Sequence, residues 1–399
     1  MPLSGALEEK ARRVLDARRP AILAASRWLY EHPELSGEEH RSASHLVELL
    51  RKNSFEVEAP LGSLPTAFRA TRRGRRDRPR VTFLAEYDAL PGVGHGCAHN
   101  FIGAASVGAG LVLGELASEL DGSVLVIGTP AEETVGGKVI LLEEGVFRDV
   151  DAAMMFHAAA ETRVNTTSLA SQSFEVTFYG KEAHAAAAPE QGVNALDALV
   201  AFYLSLDMLK KQLRKDVRIP GIVVEGGLRP NIVPALARGA FSARASDSAY
   251  LDYVLARVRE NAESAAKAHG ARVELRHVER RYEDMRSNQA LAEVCASHLE
   301  KAGYRLVRTP RERMGSLDMG NLSHAFPCIH PMIAICDDLS AHTREFGEAS
   351  LTPRGEKALL DAVWALAMTA AEFLQSPELA ERARREFESG RGSTAGDGR

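Results

Sequence analysis

Four short stretches carry side chains suited to binding divalent metal ions: Cys97-Ala98-His99, the pair Glu132-Glu133, His157, and His342 in the string HTREF. A thiolate, imidazoles and a carboxylate make the mixed soft and borderline donor set that zinc or manganese accepts. Singly, each has an ordinary explanation. A histidine ending a strand is commonly a packing residue, and adjacent glutamates are commonly solvated. What they share is their place relative to the elements that must carry them.

Apolar runs at Val81 to Tyr87, Ser123 to Gly128 and Ala152 to His157 read as buried strands, each followed by small or polar residues and then helix-like sequence. The alternation predicts an α/β domain with a mixed, largely parallel sheet flanked by helices, whose ligand site lies beyond the carboxyl ends of its strands. The candidate ligands fall there. From about residue 171 the pattern changes: a strand at Phe174 to Tyr179, a helix at Val193 to Leu213, strands at Ile219 to Glu225 and Gly239 to Ala245, a helix at Leu251 to Ala268, and a strand at Val273 to Val278. That βαββαβ order is the ferredoxin-like α+β unit. Mixed signals return after about 285. The expected organisation is a catalytic domain in two segments, 1–170 and 285–375, with an inserted domain at 171–284. A fraying helix and disordered tail are expected over 376–399.

With 399 residues, 45% hydrophobic and 26% charged, the chain has material for a large core, which excludes a disordered or collagen-like protein. A formal net charge of -5 provides no global attraction for nucleic acid or an anionic membrane, and neither is expected as a partner. The basic run from Arg72 to Arg80 has no interleaved aromatic residues and is expected to be a solvated hairpin loop. The scattered Cys97, Cys295, Cys328 and Cys336 do not form a disulfide framework, and the start MPLSGALEEK lacks the apolar centre of a signal peptide. A reduced, cytoplasmic protein is therefore expected, with no uninterrupted apolar run of about 20 residues. The last three cysteines are expected to be buried small hydrophobes, and Trp28 and Tyr30 to lie on a helix packed on the core.

The strings AEYDALPGVGHGCAHN (85–100), GTPAEETVGGK (128–138), FHA (156–158), GKEAHAAAAPEQGVNALDA (180–198) and LDMGNLSHAFP (317–327) together resemble the amidohydrolase branch of the aminoacylase and carboxypeptidase G metallopeptidases. The likeness covers most of residues 20–375 and is strongest to the aminoacylase-1-like, β-alanyl-lysine dipeptidase type. The p-aminobenzoyl-glutamate and indole-acetyl-amino-acid hydrolases are its cousins. The resemblance implies two neighbouring divalent ions, zinc or manganese, and an inserted lid domain that forms a homodimer. It also implies hydrolysis of the amide bond of an N-acyl amino acid or dipeptide with a free carboxylate.

Carried over position by position, the resemblance makes Cys97 the ligand bridging both ions, where other branches use an aspartate. His99 and His157 complete one ion, Glu133 and His342 the other, with His330 competing for the place of His342. Glu132 becomes the general base that takes a proton from the activated water and returns it to the leaving amine. Asp88 stands behind a ligating imidazole, and Glu86 occupies a position where other branches keep a histidine. His184, Asn231 and Arg244 reach the substrate from the inserted domain, the histidine commonly from the neighbouring subunit. His184 opens an alanine-rich run that looks like a helix start. Ala98 replaces the glycine usual between the cysteine and histidine.

Three other readings compete. The substrate is p-aminobenzoyl-glutamate or another N-acyl amino acid; Cys97 is itself a nucleophile with His99 or His95 as its base; or the chain is a metal-stabilised binding protein without turnover. Asp337 and Asp338, near His342, either select a basic substrate side chain or form a solvated loop. For His32, His40, His45, His269, His277, His298 and His324 no partner is predicted.

Overall fold

The computed structural model describes residues 3–309 and 315–392. It divides into two compact units: Met1–Thr167 with Met285–Arg313 and Asn321–Arg399, and Ser168–Asp284 with Met314–Gly320. The second unit thus takes in a short later segment besides its continuous stretch. The stretch after Ser376 is a helix, Pro377–Gly392, and the disordered tail expected at the end falls on 393–399, outside the described residues.

The first unit is built on a six-stranded sheet in the order Glu56–Glu58, Phe68–Arg73, Ser123–Gly128, Arg80–Ala85, Ala152–Met154, Cys328–Ile329. The last four strands are parallel, and Phe68–Arg73 pairs antiparallel with both of its neighbours at the other edge. Every residue of Ser123–Gly128 is buried, as expected of a strand covered on both faces. The helix His99–Glu115 is buried from His99 through Gly114 and packs between the sheet and the helices Gly5–Glu31 and Pro353–Gln375. Gly110 permits that approach to the sheet: a Cβ there would sit 2.4 Å from Val126 Cγ2.

Two expectations need correction. The basic run is a loop but not a hairpin, because Phe68–Arg73 and Arg80–Ala85 flank the Ser123–Gly128 strand instead of pairing with each other. Its arginines are held by acids, Arg75 by Asp121 at 3.1 Å and Arg78 by Asp151 at 3.0 Å. The strand expected over Ala152 to His157 breaks after Met154, and His157–Ala159 pairs instead with Met332–Ala334. The chain there follows its later neighbour, His157 N donating to Pro331 O at 2.9 Å. Pro353–Gln375 is long and apolar enough to cross a membrane by length and composition, but Asp361 and Glu372 break it, so no uninterrupted apolar run arises there. In the structure most of it lies inside the core of this unit.

The second unit is a four-stranded antiparallel sheet in the order Arg272–His277, Ala170–Tyr179, Leu236–Ala245, Gly221–Glu225. Ala170–Tyr179 and Leu236–Ala245 alternate buried and half-buried residues, so one face packs Phe174, Phe178 and Phe241 against the helices Ala195–Lys210 and Ser248–His269. This is the ferredoxin-like unit the sequence predicts. Its helix starts are set by capping: Asn194 accepts from the N–H groups of Leu196 and Asp197, and Asp247 from that of Tyr250. Val193 therefore falls outside the first helix, and the second begins at Ser248.

Candidate metal centre

The four stretches converge beyond the carboxyl ends of the parallel strands of the first unit. After Ala85 the chain passes Glu86 and Asp88 to Cys97, then enters the buried helix at His99 with Ala98 in the left-handed conformation, φ 60°. After Gly128 the backbone turns at Ala131, φ 59°, and directs both glutamates inward. His342 also has a positive φ, 68°, and its N–H donates to Gly96 O at 2.8 Å. Gly96 lacks the Cβ that would stand 3.2 Å from Thr343 O. Of the four non-glycine residues with positive φ among the described residues, three, Ala98, Ala131 and His342, belong to or adjoin this cluster. Each such residue costs about 1 kcal/mol, strain that the packing holds where side chains must be aimed.

Ligand atoms of Cys97, His99 and His157 lie within 4.8 Å of one another, and those of Cys97, Glu133 and His342 do the same. Cys97 is common to both sets. A third set joins His99, Glu132 and Glu133 within the same limit. Two imidazoles are oriented by the ring nitrogen that faces away. His99 Nδ1 is 2.8 Å from Asp88 Oδ1, which leaves Nε2 facing Glu86 Oε2 at 3.4 Å and Glu133 Oε1 at 3.8 Å. His157 Nδ1 lies 2.7 Å from Ala158 O, and its Nε2 is 3.6 Å from Cys97 Sγ. Such outward bonds hold an imidazole with a lone pair turned to a metal. Asp88 also accepts from Ser36 Oγ at 2.6 Å and from the Glu133 N–H at 3.0 Å, tying the two ligand-bearing loops together.

The electrostatics of the cluster call for a cation. Burial pushes the Asp88 carboxyl up, but the His99 ring, Ser36 and the Glu133 N–H outweigh it and hold the group well below the usual carboxylate range. Burial opposes a charge on His99, yet Asp88, Cys97 and Glu86 raise its pKa well above the ordinary imidazole value. Glu133 Oε1 is buried with no hydrogen bond, although His342 Nε2 is 3.5 Å away. A buried carboxylate oxygen facing imidazole nitrogens, beside a thiol and a second glutamate, fits a divalent ion. Burial pushes the Cys97 thiol up to about 12, which disfavours it as an unaided nucleophile at neutral pH; a bound divalent ion would deprotonate it.

His330 does not join the converging sets. It packs edge-on against His157 with ring centroids 5.6 Å apart, and burial pushes it down to about 3, keeping the ring neutral. His95 is also buried and pushed down, to about 4, and contributes no atom to the sets. Asp337 pairs with Arg354 at 2.9 Å, which engages it within the protein, while Asp338 is exposed.

In the second unit, His184 does not start a helix. Its Nδ1 accepts from the N–H groups of Ala186 and Ala187, closing a turn before Pro189. Ala185 N donates to Asn231 O at 3.1 Å, so the His184 and Asn231 segments are neighbours. Arg244 is not with them. It lies eight residues beyond Leu236 on the Leu236–Ala245 strand, about 27 Å from that residue at roughly 3.4 Å per residue.

Some partners escape a sequence reading. Lys138, inside the string GTPAEETVGGK, is completely buried and donates to Glu86 Oε1. Burial pushes the Glu86 carboxyl up, but Lys138, followed by His99 and His157, outweighs it and holds the group below its ordinary value. Glu39 is a buried carboxylate bonded to the loop that carries the glutamate pair. Trp28 stacks between His32 and His45, and His298 Nε2 is 2.8 Å from Glu372 Oε1. Cys295 and Cys328 are buried, while Cys336 is only half-buried, on the rim of the core.

An α/β unit with this donor set at its strand ends has the makings of a metal-dependent hydrolase. The chain belongs to peptidase family M20/M25/M40, whose family model matches residues 82–365. It is 35% identical over 402 residues to the Mus musculus Xaa-Arg dipeptidase, covering 96% of this chain and 92% of that protein. To a p-aminobenzoyl-glutamate hydrolase chain of Escherichia coli it is 32% identical, covering 66% of this chain and 58% of that one. Its fold is that of the Bacillus subtilis YXEP protein, a dinuclear metal-binding peptidase of the M20 family. That match has a TM-score of 0.72 at 22% identity and covers 90% of this chain and 99% of that one.

Proposed function

We propose that this chain is a two-metal dipeptidase or N-acyl-amino-acid hydrolase, acting on a small substrate with a free carboxylate. The observation that carries this reading is the sharing of Cys97 by two ligand sets, one with His99 and His157 and one with Glu133 and His342. Zinc or manganese suits these donors. When bound, such ions lower the pKa of water and polarise the scissile carbonyl. Glu132, whose carboxylate lies with His99 and Glu133, takes a proton from the attacking water and delivers it to the amine nitrogen as the carbon–nitrogen bond breaks. His184 and Asn231 supply donors to the carbonyl oxygen, and Arg244 matches a carboxylate with its planar fork. Similarity to the Xaa-Arg dipeptidase supports a dipeptide substrate, and similarity to the p-aminobenzoyl-glutamate hydrolase supports an aryl-acyl amino acid. The four free cysteines accord with a reducing, cytoplasmic setting.

Removing metal with a chelator should abolish turnover, and added zinc or manganese should restore it. The measurement is amine release from dipeptides and N-acyl amino acids with acidic, basic and apolar carboxyl-terminal residues. The rank order separates the two substrate classes. Turnover that survives exhaustive chelation would overturn the metal mechanism.

The inserted unit supports a homodimer. On Ala195–Lys210, Val200, Leu204 and Met208 form an exposed stripe at helical spacing, and the edge strand Gly221–Glu225 exposes Ile222, Val223 and Val224. Arg244 lies near the end of the Leu236–Ala245 strand opposite the end from which the His184 and Asn231 segments extend, which supports a second copy supplying one side of the substrate site. Leu204→Glu combined with Ile222→Lys should give a monomer in sedimentation and lower kcat together with the change in mass. A variant that remains dimeric would move the interface elsewhere.

A further inference from the structure

We propose that Glu39 is a positioning residue for the reaction: by accepting the Ala131 N–H, its buried carboxylate sets the direction in which the loop presents Glu132 and Glu133. The inference rests on the reading of Glu132 as the base.

Glu39 is completely buried, and among the described residues it has no cationic partner. Its Oε1 accepts from Gly37 N at 2.8 Å and from Ala131 N at 2.9 Å, while Oε2 accepts from Thr66 Oγ1 at 2.8 Å. Thr66 is fixed in turn, its carbonyl accepting from Tyr87 Oη at 2.6 Å. A simple capping role does not account for the carboxylate. Glu39 stands at the N-cap position of the helix His40–Lys52, but its side chain makes no capping bond. Glu34 does that work instead, accepting from Arg41 N at 3.1 Å and Ser42 N at 2.7 Å. The Glu39 side chain is thereby free to reach the loop 92 residues further along the chain.

The residue it holds is Ala131, in the left-handed conformation at φ 59°, immediately before the glutamate pair. An alanine leaves that conformation readily unless it is held. Asp88 fixes the other side of the same turn through the Glu133 N–H. The Glu39 and Asp88 bonds hold the Pro130–Ala131 and Glu132–Glu133 peptides, and the peptide between them is held through the Ala131 carbonyl, which accepts from Gly136 N at 3.1 Å, so the Glu132 carboxylate stays with His99 and Glu133. Losing the Glu39 bond should therefore affect chemistry more than substrate binding.

The test compares Glu39→Gln, Glu39→Ala, Glu39→Asp and Glu132→Gln as full-length, metal-loaded proteins. The glutamine retains an oxygen for both N–H groups and should stay close to wild type. Alanine should lower kcat by about 10- to 100-fold with KM nearly unchanged, and amide hydrogen exchange should rise in the 129–137 segment. Aspartate keeps a carboxylate but is one methylene short of Ala131, so it should behave like alanine, and it carries the test if the alanine variant does not fold. Alanine and aspartate variants with wild-type kcat and unchanged exchange in 129–137, whatever their melting temperature, would overturn the proposal. If Glu132→Gln is inactive in that same set, only the role of Glu39 fails. If Glu132→Gln is itself active, the reading of the base fails.

Discussion

Glu132→Gln should retain its fold and both metal ions while losing about 100- to 10,000-fold in kcat, the range that proton transfer by a positioned side chain contributes. The substitution is nearly isosteric and removes the capacity to accept and return a proton. It leaves Cys97, His99, His157, Glu133 and His342, which form the two ligand sets, untouched. KM should change little, because an interaction made only in the transition state appears in kcat. Glu133→Gln is the internal comparison. It alters the neighbouring carboxylate, whose Oε1 is buried without a hydrogen bond, and should lower metal occupancy as well as rate. Metal content by elemental analysis and steady-state amine release distinguish the two. Near-normal turnover in Glu132→Gln, or loss of an ion from it, would remove Glu132 from the role of base.

Lys138→Met should be the most destabilising single substitution near the site, costing about 3–5 kcal/mol, because it leaves the Glu86 carboxylate buried without its ammonium. The double variant Lys138→Met with Glu86→Gln should recover much of that loss, since it removes the orphaned charge. Denaturant unfolding in the presence of chelator isolates this effect from metal binding. The pair also makes stability depend on pH. The folded protein holds Glu86 below its ordinary value, so its contribution is complete above the normal carboxylate range and is lost as pH falls. The double variant should therefore show a shallower loss of stability in acid than the wild type. A single variant as stable as wild type would mean that Glu86 is neutral, or solvated, in the folded chain.

Much of the site is legible in the sequence because its determinants are local. Cys97 and His99 are two positions apart at the entrance to one helix, and Glu132 and Glu133 are adjacent after one strand, so identifying the strands places the candidates. The alternation of apolar runs likewise predicts the parallel sheet and the βαββαβ unit, since strand and helix periodicities are written into short windows.

Tertiary structure decided what depends on distant partners. No local pattern shows that Lys138 lies fully buried against Glu86, 52 residues away, or that Glu39 passes over its own helix to hold Ala131. The break that pairs His157 with Met332, and the turn that brings His342 against Gly96, also come from later parts of the chain. Residue types and spacing determined which atoms are able to bind metal and move protons. Only the folded chain determined where those atoms point, because burial, charge pairing and left-handed backbone turns are imposed by neighbours remote in sequence.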